Sequence, residues 1–385
     1  MRKQLTSVVL LLMVTFIGFG IVIPILPEVV SEKHLGWMLA LYSLASFVMS
    51  PVWGGLSDRF GRKPIIITGT VGFAFSFFLF GISLDHLWLM YASRILGGLF
   101  SGAVTSCAVA CVADITDEEN RTKGMGMVGM AIGLGFIIGP AFGGLLSLIS
   151  LTIPFYVASS LSLMTSFFCW ALLEETLDED KRKITQNRSR VSRWSAFQGP
   201  LKHLYLLGFI VSFTLAGLES VLQYFQQDVF DAQPYHIGVM LLVSGIIGAL
   251  IQGGFIRRYV KHGMEEKIIV AGLLLQAAGF FLLLLSKDFV TATVYLCIFS
   301  AGNALIRPCV TSLITQKTTV SQGAASGLSS SMDSLGRIGG PLFSTALFAE
   351  GNNLPFLTNG IVCLLSLFLV HFYHQWSSQK APGVS

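Results

Sequence analysis

No part of this 385-residue chain goes far without another long apolar run. Twelve such runs can be drawn, at 5–27, 36–56, 64–84, 87–113, 124–146, 150–173, 203–227, 236–257, 266–286, 289–315, 323–348 and 354–375. A helix of about 20 residues rising 1.5 Å each crosses the ~30 Å hydrocarbon core of a bilayer. Inside lipid every backbone N–H and C=O must be satisfied within the segment or in a closed barrel. A barrel requires strands of about ten residues with alternating polarity, and no such alternation recurs. The expected fold class is therefore all-α, with twelve transmembrane helices. Composition agrees: 12% of residues are charged, against about 25% in a soluble chain. Mean hydropathy is +0.71.

The basic start and first apolar run could suggest a secretory signal. No small-residue cleavage site follows, only more apolar segments, so the run is expected to stay as the first span. The six cysteines (Cys107, Cys111, Cys169, Cys297, Cys309, Cys363) all fall in apolar runs without His or carboxylate at metal-ligand spacing. They read as small buried residues.

Charge sets the orientation. With both termini inside, twenty of the twenty-five Lys and Arg lie in inner segments, two (Lys33, Lys287) in outer loops and three within spans. Basic residues concentrate on the cytoplasmic side, so the chain is expected in the cell membrane with both termini cytoplasmic. The most polar stretch, "EETLDEDKRKITQNRSRVSRW" (174–194), divides the spans six and six. The expected organisation is an N-terminal bundle at 1–173, a cytoplasmic linker at 174–202 and a C-terminal bundle with a short tail at 203–385.

The halves resemble each other. "WGGLSDRF" (53–60) and "QGGFIRRY" (252–259) close the second span of each half, and "GPAF" (139–142) and "GPLF" (340–343) lie in the fifth. Two related six-span halves are the layout of many secondary transporters, with a site near mid-membrane.

The most specific stretch is "GGLSDRFGRKP" (54–64). A basic inner loop explains its Arg and Lys, but not the framework of Gly54, Asp58 and Gly61. It resembles the G-x-L-x-D-R-x-G-R-K signature of the major facilitator superfamily. "GFIIGPAFGG" resembles that superfamily's antiporter motif through Gly135, Gly139, Pro140, Gly143 and Gly144. "SRILGGLFSG" resembles its R-x-x-x-G element through Arg94, and "GIVIPILP" its first-span proline pattern. The resemblance covers the whole chain and is strongest to twelve-span drug:proton antiporters of the NorA and Bmr type. It implies two pseudo-symmetric six-helix bundles. It also implies a cytoplasmic latch in which Asp58, Arg59 and Arg62 work with Asp114. In the second copy Arg257 stands where Asp58 would, so no matching latch is expected there.

Five charged residues lie well inside spans: Arg94, Glu219, Arg307, Asp333 and Arg337. Such residues face a cavity or one another and often serve proton relays. Glu219 shares a helix face with Gln223 and Gln226, which suits cavity lining; a buried, hydrogen-bonded Glu is the alternative. NorA-type pumps carry an acid a few positions before Arg-Pro in the tenth span, where this chain has Asn303, which takes up no proton. Asp333 is expected about 15 Å deep and Arg307 at ~13–14 Å, so the two can meet. Asp333 and Arg337, at i and i+4, can instead neutralise each other. Phe16, Tyr42, Phe136 and Tyr224 on lining helices can supply stacking surface, or can simply pack against lipid.

The resemblance implies a proton-coupled exporter of hydrophobic cationic or zwitterionic small molecules. The alternative is a facilitator-family transporter of a sugar, a lipid or an anionic metabolite. An enzyme is not expected: no nucleophile–His–carboxylate group, HExxH or phosphate loop occurs. No cofactor is expected beyond the proton gradient. Expected partners are small-molecule substrates, protons and the bilayer, with no nucleic acid, and the chain is expected to be monomeric.

Overall fold

The computed structural model describes residues 2–116, 118–177, 197, 199–259, 263–318 and 322–379. Most of the expected linker at 174–202, and the last six residues of the tail, lie outside the described residues. Twelve long helices account for almost all of the rest, and no strand occurs among the described residues. They are α1 (Arg2–Val22), α2 (Glu32–Phe60), α3 (Arg62–Gly81), α4 (Leu87–Ile115), α5 (Glu118–Ser147) and α6 (Ile153–Leu172), then α7 (Leu201–Phe230), α8 (Pro234–Leu250), α9 (Glu265–Leu283), α10 (Phe289–Lys317), α11 (Gln322–Glu350) and α12 (Leu354–Gln379). Eleven are long and apolar enough to cross a membrane; α11, which carries Asp333 and Arg337, is the one that is not.

Two apolar runs are interrupted. The first is helical only to Val22; a turn at 23–25 and a four-residue helix, Leu26–Val29, complete it. Pro24 has no N–H to give the ladder, and Pro27 suits the first turn of the short helix. After α8 the chain makes a π-helical segment, Ile251–Ile256, containing Gly253 and Gly254. Glycine weakens the α-helical preference there.

The described residues form two compact units. One takes in Met1–Ser31, Leu41–Ser189 and Gln233–Leu242; the other takes in Glu32–Ala40, Arg190–Ala232 and Val243–Ser385. This departs from a plain division at the linker in two places: the first turns of α2 group with the second unit, and those of α8 with the first. Glycine faces give the reason. In the second unit Gly36 lies against Thr345 and the Pro341 carbonyl. In the first unit Gly144 lies against Pro234 and Tyr235, and Gly238 against the Pro140 carbonyl.

The first unit is built around α1, α3, α4 and α6, whose buried residues include Leu12, Ile66, Val104, Cys107, Ala108, Cys111 and Cys169. Lipid tails are as apolar as leucine, so helices associate in a membrane by close packing and hydrogen bonds rather than by expelling water. Small residues provide that packing. Gly69 lies on Ala103, Gly72 on the Phe100 ring, and Ser159 donates to the Ala74 carbonyl at 2.8 Å. The second unit repeats the device. Gly272 and Gly302 bring α9 and α10 together, and Gln276 donates to Thr214 Oγ1 at 3.1 Å. Large apolar side chains such as Trp88, Ile149, Phe167 and Trp170 point outward from the first unit, as a lipid-facing surface requires.

Candidate functional site

The signature stretch places its charges at one end of the first unit. Gly61 ends α2 and begins α3 with φ of 104°, a conformation that favours glycine. That sharp joint brings Arg62 back over the end of α2. Its Nη1 is 2.6 Å from Asp58 Oδ1 and donates to Ser57 Oγ at 2.6 Å, while Nε donates to Asp114 Oδ2 on α4 at 2.9 Å. One guanidinium thus ties α2, α3 and α4 through charge-assisted hydrogen bonds, with its side chain 9% exposed. Arg59 points away, over the Phe60 ring. Gly54 meets no neighbour at its Cβ position.

A residue not singled out from the sequence completes this corner. Glu175, beyond α6, accepts from the backbone N–H of Arg62 at 2.8 Å and of Lys63 at 3.2 Å. It caps the open end of α3, where unpaired N–H groups favour a carboxylate. Thr176 donates to Cys111 Sγ and Leu177 is buried, so the first residues after α6 are held against the latch. In the second unit the same corner is bridged without a cation, by Gln316 Nε2 donating to Glu265 Oε1 at 3.1 Å. The Arg257 side chain lies outside the described residues.

The glycine-proline stretch of α5 packs on α1. A Cβ on Gly135 would meet Phe16 at 2.5 Å, one on Gly139 would meet Gly20 Cα at 2.7 Å, and one on Gly143 would meet the Ile21 carbonyl. The corresponding stretch of α11 packs on α7 in the same manner, through Gly336 on Phe209 and Gly340 on the Phe213 carbonyl.

Above the close α1–α5 contact lies an aromatic cluster. Phe16 and Phe136 are 5.3 Å apart between ring centres, Phe136 and Phe19 5.4 Å, and Phe19 and Tyr42 5.4 Å. Phe19, which links Tyr42 to the Phe136–Phe16 pair, was not singled out from the sequence. Gly97 lies against the Tyr42 ring and Gly98 against its carbonyl. Arg94, one turn earlier on α4, is 4% exposed. Its guanidinium sits 4.6 Å from the Phe80 ring centre and 5.9 Å from that of Phe77. No carboxylate pairs with it among the described residues.

In the second unit Arg307 Nη2 donates to Asp333 Oδ2 at 2.7 Å, joining α10 to α11. Ser212 Oγ on α7 donates to the other carboxylate oxygen at 2.8 Å. Asp333 therefore does not pair with Arg337, the alternative its i, i+4 spacing allowed. Arg337 instead lies within electrostatic reach of Glu219 on α7, without a direct ion pair. Asn303 lies one turn from Arg307, and its amide nitrogen has no hydrogen-bond partner in the protein. Gln223, one turn beyond Glu219, is 2% exposed, on the most enclosed of the apolar helices. Tyr224 is half-buried and faces Phe348 at 6.1 Å. Among the described residues no group of three or more His, Cys, Asp or Glu could hold a metal ion.

Known proteins are similar to this chain in sequence and in fold. The family model of the Major Facilitator Superfamily matches residues 8–315 and 261–383. Multidrug resistance protein 2 of Bacillus subtilis is 30% identical over 393 residues, covering 99% of this chain and 98% of that protein. Quinolone resistance protein NorA of Staphylococcus aureus is 29% identical over 356 residues, covering 90% of each. The solved structure of the human organic anion transporter MFSD10 (TETRAN) matches with a TM-score of 0.72 at 24% identity, over 96% of this chain and 99% of that one. That of a bacterial homolog of the human lysosomal transporter Spinster matches with a TM-score of 0.77 at 14% identity, over 99% and 98%. The two structural likenesses are likenesses of fold; the family match and the 30% identity reach further, and this chain belongs to the major facilitator superfamily.

Proposed function

We propose that this chain is a proton-coupled multidrug efflux antiporter, exporting hydrophobic cationic or zwitterionic small molecules by alternating access. The observation that carries the reading is the likeness to Multidrug resistance protein 2 along 99% of the chain. The residues supply suitable chemistry. Glu219 offers an anionic or neutral group according to its proton, within reach of Arg337. The Phe16–Phe136–Phe19–Tyr42 cluster offers stacking faces to a flat or cationic molecule. A deprotonated Glu219 attracts a cationic substrate, and a proton arriving from outside displaces it.

The charge asymmetry supports cytoplasmic termini and a cell-membrane location, and the proposed transporter works as a monomer. The latch of Asp58, Arg62 and Asp114 is its inner tie, and the α5 motif its close-packed antiporter element. In everted vesicles energised by a proton gradient, the protein is expected to accumulate a fluorescent lipophilic cation, and Glu219→Gln to abolish that accumulation. Unimpaired accumulation in the variant removes Glu219 from coupling.

One observation favours a second reading, an anionic substrate. Arg94 is buried with no carboxylate beside it, and an unpaired cation inside a membrane protein is costly unless a ligand meets it. Uptake of a fluorescent organic anion that exceeds uptake of the cation would favour this reading.

A further inference from the structure

The Arg307–Asp333 pair, with side chains 47% and 29% exposed, lies at one end of a cleft within the second unit. The cleft between α7, α10 and α11 is small, about 30 Å³, with room for about two water molecules. Leu204, Tyr205, Gly208 and Val211 line it from α7; Arg307, Val310, Thr311 and Ile314 from α10; Ser329, Met332 and Asp333 from α11. It runs about 10 Å along the helices, seven residues at 1.5 Å each on α7 and α10. All three walls lead toward the same end of the unit, where α7 begins at Leu201, α10 ends at Lys317 and α11 begins at Gln322. The basic residues assign that end to the cytoplasm.

Three features mark the cleft as a place for water rather than a packing defect. Tyr205 is 1% exposed, yet its hydroxyl has no hydrogen-bond partner in the protein. Buried hydroxyls without a protein partner are what internal waters satisfy. Gly208 contributes no side chain, and a Cβ there would meet nothing within 4 Å. Glycine thus leaves space open where its neighbours Leu204 and Val211 fill it. The remaining polar groups, Thr311, Ser329 and the half-exposed Arg307, continue the polar lining from Tyr205 to Asp333.

We propose that this cleft is a hydrated proton conduit between the cytoplasm and Asp333, and that Asp333 is a second proton carrier beside Glu219. The inference rests on the antiport reading above and adds a site and a route to it. In the resting pair Asp333 accepts from Arg307 on one oxygen and from Ser212 on the other. A hydronium ion reaching the carboxylate gives its proton to Oδ2 and leaves as water, and the Arg307 guanidinium swings away into the cleft. Ser212 stays bonded to Oδ1 and keeps the carboxyl in place. The other charged or titratable groups around the site are Arg337 on the same helix, Tyr205 and Glu219 on α7. Release runs in reverse, with the returning guanidinium displacing the proton to water in the cleft.

The test uses purified full-length protein in nanodiscs, mixed rapidly with tetraphenylphosphonium while a pH-indicator dye reports the protons released. Mixed at acid pH, where both carriers start protonated and Arg307 is swung away from Asp333, wild-type protein is expected to release protons on binding. Asp333→Asn is expected to release about half as many, since one of two carriers is gone. Gly208→Leu fills the cleft without touching any carboxyl. It is expected to release the wild-type number about tenfold more slowly, a smaller loss than the 10²–10⁴ typical of removing a positioned proton-transfer group. Gly208→Ala is expected to keep the wild-type rate and Tyr205→Phe to slow release several-fold. A wild-type rate in Gly208→Leu overturns the conduit, and a full proton count in Asp333→Asn overturns the carrier. If Asp333→Asn does not fold, the glycine series alone decides the route. Wild-type protein that binds the cation but releases no proton overturns antiport itself, and the conduit with it.

Discussion

Glu175 accepts two hydrogen bonds from the first backbone amides of α3, those of Arg62 and Lys63. The residue that follows α6 is therefore fastened to the joint between α2 and α3. Removing the carboxylate leaves those amides to water. Glu175→Ala is expected to cost about 0.5–1 kcal/mol, the range for an exposed cap and its dipole interaction. Glu175→Gln keeps an acceptor and should recover part of it. Thermal midpoints of the three proteins in one detergent check this; equal midpoints for wild type and Glu175→Ala refute it.

Arg62 satisfies two carboxylates and a hydroxyl at once. Lysine carries the charge but not the planar fork that reaches three partners. Arg62→Met leaves Asp58 and Asp114 without their cation, at a cost of about 2–3 kcal/mol, the low end for a buried pair because Asp58 is 39% exposed. Arg62→Lys should fall between. Denaturation in mixed micelles measures stability and vesicle transport measures activity; a fully active, fully stable Arg62→Met would show the tie to be idle.

Glycines on two sides of α5 should respond oppositely to alanine. Gly139 has Gly20 Cα within 2.7 Å of any added Cβ, so Gly139→Ala overpacks the α1 contact by about 1–3 kcal/mol. Gly133 meets nothing within 4 Å, and Gly133→Ala should be neutral or stabilise by up to ~1 kcal/mol through helix preference. Parallel melting curves decide it, and a loss at Gly133 as large as that at Gly139 contradicts the packing argument.

Asp288 caps α10, accepting from the Thr291 amide at 2.8 Å while the Thr291 hydroxyl binds the Asp288 amide at 3.1 Å. These hydrogen bonds from Thr291 hold its carboxyl below the usual carboxylate range. A depressed carboxyl stabilises the folded state above its unfolded-state pKa and loses that contribution as pH falls through the folded value. Asp288→Ala should therefore lower the melting midpoint at pH 7, and the gap to wild type should close as pH drops below about 3.9. A gap unchanged by acid would mean that the charged form carries none of the cap.

Much of this was legible from the chain. Spans must be apolar and about twenty residues long, so all twelve could be drawn as apolar runs, although α11 at 323–348 is more polar than the other eleven. Depth counting from the helix ends brought Arg307 to Asp333, because rise per residue is fixed. What stayed hidden depends on which face a helix turns to its neighbour. Glu175 sits in a stretch whose composition reads as solvated linker, and nothing in "EET" points at the amides of a helix more than a hundred residues earlier. Phe19, Ser212 and Gly208 are ordinary membrane residues until their neighbours are known. Gln223 shares its face with Glu219 in sequence, yet Gln223 is buried while Glu219 stays partly exposed.

Helix α11 has a consequence for how the protein is made. Read alone, it is too polar to enter a bilayer by hydropathy, since Asp333 and Arg337 each oppose insertion by roughly 2.5–3.5 kcal/mol at mid-membrane. Its glycine face fits α7, whose synthesis starts about 120 residues earlier. Both α7 and α10 precede α11 in the chain, so Ser212 and Arg307 are made before the Asp333 they bind. The late helix enters the membrane against a protein surface prepared for it, so the insertion of α11 also completes the charged centre of the second half, with only α12 still to follow.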